Sequence, residues 1–181
     1  MSRRPLLIAL AIAMLALAGC SGDTETITSG EGEQLYVTQG GLQYQVQISR
    51  QLNPSDVRDR DYLIGIPQAD RGLDAKEIWF GVWLRAFNRS GTAAQNAESF
   101  RIVDTRGRDY EPIKLASINA FAWRSARVGD GAEYPPVGSA ASETSSTGAL
   151  LLFKLPVEAL SFRPLELEFG AGTPSTITLD V

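Results

Sequence analysis

Ile78-Trp79-Phe80-Gly81-Val82-Trp83-Leu84-Arg85-Ala86-Phe87 begins with the longest unbroken apolar run downstream of Cys20 and is interrupted only by Arg85. Side chains alternate across a strand, so Ile78, Phe80, Val82, Leu84 and Ala86 form one row. Trp79, Gly81, Trp83, Arg85 and Phe87 form the other. Both rows are apolar or aromatic, which suits a central strand rather than one with a wet face. Upstream, Leu42, Tyr44, Val46 and Ile48 alternate with Gln43, Gln45, Gln47 and Ser49, the pattern of a half-buried neighbour. Further strands are expected over 35–38, 62–66, 99–103, 109–115, 150–155, 165–169 and 176–181. Turn signals separate these runs: Asn53-Pro54, Asn88-Arg89-Ser90-Gly91, Thr105-Arg106-Gly107 and Gly170-Ala171-Gly172. Only 156–160 suits a single helical turn. Many short strands with no helices between them predict an all-β chain folded as an antiparallel sandwich. Residues 34–181 are enough for one domain with a real core. Residues 117–148 carry little strand character. Within them 139–148 is expected to be mobile, and Phe121-Ala122-Trp123 to be packed.

The N-terminus has a different character. Arg3 and Arg4 precede an apolar stretch from Leu6 to Ala18, too short for a spanning helix, which needs roughly 20 residues. It closes on Leu17-Ala18-Gly19-Cys20, which resembles the lipobox of bacterial prolipoproteins at all four positions. That resemblance implies that residues 1–19 are a cleaved signal peptide. Cys20 would then be a diacylglyceryl cysteine carrying palmitate-like chains, at least two of them, and two chains anchor a protein stably. Residues 20–33, with four acids and no base, are expected to be a flexible tether with an r.m.s. reach on the order of 20 Å. The protein is therefore expected to be extracytoplasmic and lipid-anchored to the cell membrane. In a host with two membranes the outer one is expected, because Ser21 is not the aspartate of inner-membrane retention.

Composition restricts the chemistry. There is no histidine in the 181 residues, and both methionines and two of the 17 basic residues lie before Cys20. From Cys20 onward 15 bases face 21 acids, a net charge of −6. That balance disfavours nucleic acid and electrostatic docking on an anionic leaflet, so the membrane is reached through the lipid anchor alone. With Cys20 consumed as a thioether, no imidazole, free thiol or methionine remains. Zinc and copper lose their usual ligands, and Ser-His-Asp and Cys-His catalysis lose their base. No Gly-x-Ser-x-Gly, Ser-x-x-Lys or phosphate-cradling loop occurs, so no enzyme activity, cofactor or metal is expected.

Three segments in this order resemble the telokin-like (immunoprotective extracellular, Ig-like) domain of bacterial lipoproteins. They are the strand from Trp79 to Asn88, the hairpin sequence from Phe100 to Tyr110, and Gly148 to Pro156 followed by Leu165-Glu166-Leu167-Glu168. The resemblance implies an Ig-like sandwich with a binding or scaffolding role, and no catalytic residues.

Two functional expectations follow. In the first, the sandwich is a non-catalytic interaction module for another envelope protein or a cell-wall ligand. In the second, Trp79, Trp83, Arg85 and Trp123 form an aromatic pocket for a small ligand, with indoles and a guanidinium for stacking and hydrogen bonding. The competing reading buries the Trp79/Trp83 face beneath the 118–136 segment, with Phe121, Trp123 and Tyr134 packed on it, as sandwiches commonly bury a tryptophan on a central strand. Asp56-Val57-Arg58-Asp59-Arg60-Asp61 reads as a solvated loop of alternating charge, with calcium the one conceivable metal. Asp104 to Asp109 reads as a hairpin turn in which Gly107 supplies positive φ. Asn88-Arg89-Ser90 matches a glycosylation sequon that carries no expected meaning here.

Overall fold

The computed structural model describes residues 29–30 and 35–180. The expected signal peptide, with Leu17, Ala18 and Gly19 of the expected lipobox, Cys20 and most of the expected tether lie outside the described residues. Twelve strands lie among those described: β1 (Ser29–Gly30), β2 (Val37–Gln39), β3 (Leu42–Leu52), β4 (Glu77–Asn88), β5 (Ala94–Gln95), β6 (Phe100–Val103), β7 (Asp109–Tyr110), β8 (Arg127–Val128), β9 (Glu133–Tyr134), β10 (Ala149–Pro156), β11 (Leu165–Phe169) and β12 (Ser175–Leu179). One sheet runs β1-β12-β11-β6-β7. The other runs β10-β4-β3-β2, with β9 also on β4, and β5 pairs with β8 apart from both. Pairings between the named strands are antiparallel except β1 on β12, where Ser29 and Gly30 lie beside Thr176 and Ile177; an isolated bridge of Ala122 on Leu150 is also parallel. The chain is an all-β antiparallel sandwich.

β4 is the central strand its composition predicts, with β3 on one side and β10, then β9, on the other. Its Ile78, Phe80, Val82, Leu84 and Ala86 row enters the inter-sheet core, where it meets Ile102, Leu165, Leu167, Phe169 and Ile177 of the opposite sheet. The Trp79/Trp83 row enters a second cluster on the outer face, beneath Tyr62, Ile66, Leu115, Phe121 and Ala122. Sheet, sheet and loop cover therefore make three layers.

Four expectations are corrected. Strict alternation would place Ile48 beside Val46. A bulge between Val46 and Ile48 shifts the register instead, sets Ile48 opposite Trp83, and sends it to the outer cluster. An extra residue in one strand swaps the faces of everything after it. Residues 62–66 are not a strand: a 3-10 turn (Asp61–Leu63) carries Tyr62 over Trp83. The strand expected over 109–115 ends at Tyr110, after which Pro112 and Ile113 lie against β10. Residues 139–147 form hydrogen-bonded turns with Ala141 and Ser146 buried, so that segment packs on the domain. The single turn expected at 156–160 is present as Val157–Ser161.

The acidic loop also differs from its reading. Asp56 caps a helical turn (Val57–Arg60), and Asp59 is 4% exposed. Its carboxylate accepts from the Arg50 guanidinium at 2.6 Å and from the Asn53 backbone N–H at 2.8 Å. Burial pushes the Asp59 carboxyl up, but those bonds and the Arg50 charge outweigh it and hold it below its usual range. The same guanidinium lies 5.0 Å from the centre of the Trp83 ring, so one arginine ties the loop cover to the sheet. The Asp104 hairpin matches its reading, with Gly107 at φ +76°.

Candidate functional site

Residues 96–99 connect β5 to β6, with the Asn96 N–H donating to the Ala126 carbonyl at one end and the Ser99 carbonyl accepting from the Gly170 N–H at the other. Buried asparagines fix the surrounding loops. The Asn96 side chain donates to the Arg124 carbonyl and accepts from the Ala126 N–H. Asn88, fully buried, donates to the Thr92 and Val128 carbonyls, which leaves the sequon amide no access to solvent. Ala97 is held from both sides. Its N–H donates to the Tyr44 hydroxyl at 2.7 Å, and its carbonyl accepts from the Trp123 indole N–H at 2.9 Å. Burial pushes the Tyr44 hydroxyl up to about 12, against the opposing pull of the Ala97 bond, so it stays a neutral hydrogen-bonding group. Held this way, Ala97 is followed by the exposed Glu98 and Ser99, a ridge whose residues line a hollow on each side.

A hollow lies on each side of that ridge. The larger, about 520 Å³, is lined by Phe100, Trp123, Leu115 and Leu151, with Glu98, Glu111, Lys114 and Arg124 around it. It exists because the outer edge of β10 is covered in two pieces. Ile113 N–H donates to the Leu152 carbonyl, and Trp123 N–H to that of Leu150, with an opening between the two segments. The second, about 470 Å³, lies among the Gln39–Gly40 turn, Tyr44, Ala97 and the Gly170–Ala171 turn. Both volumes fall in the roughly 300–1,000 Å³ range of ligand pockets, and both linings are chiefly apolar with a few polar groups.

The charges around the larger hollow are unequally engaged. Arg124 directs its guanidinium at the carbonyls of Leu115 (2.7 Å), Ala116 (2.6 Å) and Asn119 (3.4 Å), and so organises a turn. Glu98 accepts from the Ser125 hydroxyl at 2.5 Å and remains exposed, as do Glu111 and Lys114. No cluster of three or more Cys, Asp or Glu side chains suited to a metal occurs among the described residues. Among them, too, no helix is long and apolar enough to cross a membrane.

The residues expected to form an aromatic pocket are not brought together. Trp79 and Trp83 are 3% and 0% exposed in the outer cluster. Trp123 lies on the other side of the sheet, in the inter-sheet core against Phe100, Tyr44 and Tyr134. Of the cover expected over Trp79 and Trp83, Phe121 is there, whereas Trp123 and Tyr134 face the opposite way. Arg85 pairs with Glu133 at 2.6 Å, its guanidinium 4.8 Å from the Phe87 ring centre. Of that set Trp123 lines the larger hollow, and Trp79 lines a separate one of about 370 Å³ with Leu52 and Leu73. Tyr44 and Glu98 were missed: Tyr44 reads as an ordinary core aromatic and Glu98 as one acid among 21.

No protein-family model matches the sequence, and comparison with curated proteins gives no match. Solved structures do share the architecture. The yjhA protein of Bacillus subtilis superposes with a TM-score of 0.50 at 6% identity, over 83% of this chain and all of that one. That likeness is one of fold. An uncharacterised β-sandwich protein from Clostridium difficile 630 gives 0.44 at 9% identity, over 86% of this chain and 97% of that one. A candidate lipoprotein of B. subtilis, ycdA, gives 0.46 at 10% identity, over 87% of this chain and 39% of that one.

Proposed function

We propose that this chain is an envelope lipoprotein, anchored through Cys20, whose sandwich is a non-catalytic binding module for another envelope protein or a cell-wall component. The anchor rests on the Leu17-Ala18-Gly19-Cys20 sequence behind a short apolar stretch. The binding role rests on one observation: the opening at the β10 edge, where the Trp123 ring and Leu151 line a hollow ringed by exposed charges. An apolar floor gives a ligand affinity, and a few fixed polar groups give it orientation. The absence of imidazole and thiol in the sandwich supports the non-catalytic reading.

Two measurements test it. Palmitate labelling in a bacterial host should mark the parent and not Cys20→Ser; equal labelling of both removes the anchor. Titration with muropeptides and with short peptides should shift tryptophan emission, and the shift should vanish in Trp123→Phe. Trp83 is sealed beneath the loop cover and Trp79 lines a separate hollow with Leu52 and Leu73, so a response that survives that substitution would place the ligand away from the β10 edge.

A further inference from the structure

We infer that the two hollows and the Glu98–Ser99 ridge form a single site for an extended, basic peptide segment lying across the ridge. This rests on the binding-module reading above and names its partner class. The ridge lines both hollows and is held by Tyr44 from one and by Trp123 from the other. Glu98 and Ser99 line both hollows, so a segment that crosses them can place one side chain on each side. A polyproline II segment repeats every three residues at about 3.1 Å each, which puts side chains i and i+3 on one face about 9 Å apart. Two apolar side chains on one face, one to either side of the ridge, would each enter a hollow walled by an aromatic ring. The two intervening residues project to the flanks, where a long side chain reaches the ridge.

Charge selects that side chain. Glu98 stands exposed on the ridge and lines both hollows; its bond from Ser125 leaves carboxylate lone pairs for an incoming cation. Of the cations beside the larger hollow, the Arg124 guanidinium is occupied by three carbonyls, and Lys114 shares its rim with Glu111. The net charge of −6 from Cys20 onward adds a general attraction for a basic partner. The expected ligand is therefore an extended peptide with apolar residues at i and i+3 and a lysine or arginine between them.

The test uses acetyl-Ala-Leu-Pro-Lys-Leu-Pro-amide and the same peptide with glutamate for lysine, followed by tryptophan emission and by amide chemical shifts of Glu98, Ser99 and Ala171. The lysine peptide should bind and the glutamate peptide more weakly. Glu98→Gln should reduce the lysine preference by roughly threefold, the scale of one exposed ion pair, and Glu98→Lys should reverse it. Ala171→Trp, at an exposed position, fills the second hollow and should weaken the lysine peptide at least about tenfold, with thermal unfolding checking that the fold is kept. Equal binding of both peptides, or indifference to Ala171→Trp, overturns the inference. If muropeptides move Trp123 emission and neither peptide does, this inference falls and the binding-module reading stands. If nothing moves it, both fall.

Discussion

The six-membered ring of Trp83 lies directly over Gly81: a Cβ built at position 81 would sit 2.7 Å from two of its carbons. The indole needs the bare backbone beneath it, which explains a glycine in the middle of an otherwise bulky central strand. Gly81→Ala should cost about 1–3 kcal/mol through overpacking. Gly72→Ala, where a Cβ meets nothing within 4 Å and φ is not positive, should stay within about 0.5 kcal/mol of the parent. Urea unfolding of the two variants measures the difference.

Trp123→Phe keeps a ring among Phe100, Tyr44 and Tyr134 but removes the donor to the Ala97 carbonyl. A loss of about 1–3 kcal/mol is expected, because an acceptor in a buried residue is left unpaired. Amide exchange should quicken locally at Ala97 and Glu98. Unchanged exchange there would show that Tyr44 alone holds the ridge.

Asp104 gives a pH signature. Its burial pushes the carboxyl up, yet the Arg106 guanidinium, the Arg108 and Arg106 N–H groups and the Tyr110 hydroxyl together bring it down to about 2. An unfolded aspartate titrates near 3.9, so across that window the folded state binds fewer protons. The stabilisation is fully present above about pH 4 and is lost as pH falls toward 2. Asp104→Asn should therefore destabilise by about 1.5–3 kcal/mol at pH 7. The gap between parent and variant should narrow steadily on acidification below pH 4. A gap independent of pH would remove the carboxylate from the explanation.

Asn119, 3% exposed, holds the loop cover in place. Its amide donates to the Tyr62 and Ile64 carbonyls and its oxygen accepts from the Phe121 N–H. Asn119→Ala leaves three backbone groups without these partners and should cost at least about 2 kcal/mol. It should also raise the quenching of Trp79 and Trp83 by acrylamide. Quenching equal to that of the parent would mean that the cover is held by the Arg50–Asp59 pair instead.

Period-two patterning made the long strands legible, because β4, β10, β11 and β12 bury one or both rows of side chains. It failed at Ile48, where one bulged residue inverts the phase, and no residue type near Gln47 announces that. It failed again at Tyr62, whose β-propensity yields to a tertiary role as an edge-to-face partner of Trp83. The side on which Trp123 packs was illegible for a different reason. That depends on how the segment after Tyr110 returns along β10, and its sequence there, Glu111 to Ser125, carries no alternation. Glu98 acquires meaning only through what holds Ala97 beside it.

Ser29 and Gly30 lie parallel to β12, so the beginning of the described chain is stitched to its final strand. Tension transmitted from the N-terminal side would reach Ile177, a fully buried residue, before any strand in between. Under load the domain would first be gripped through its last described strand, and the two-residue clasp would be the first contact to yield, before force reached the rest of the sandwich.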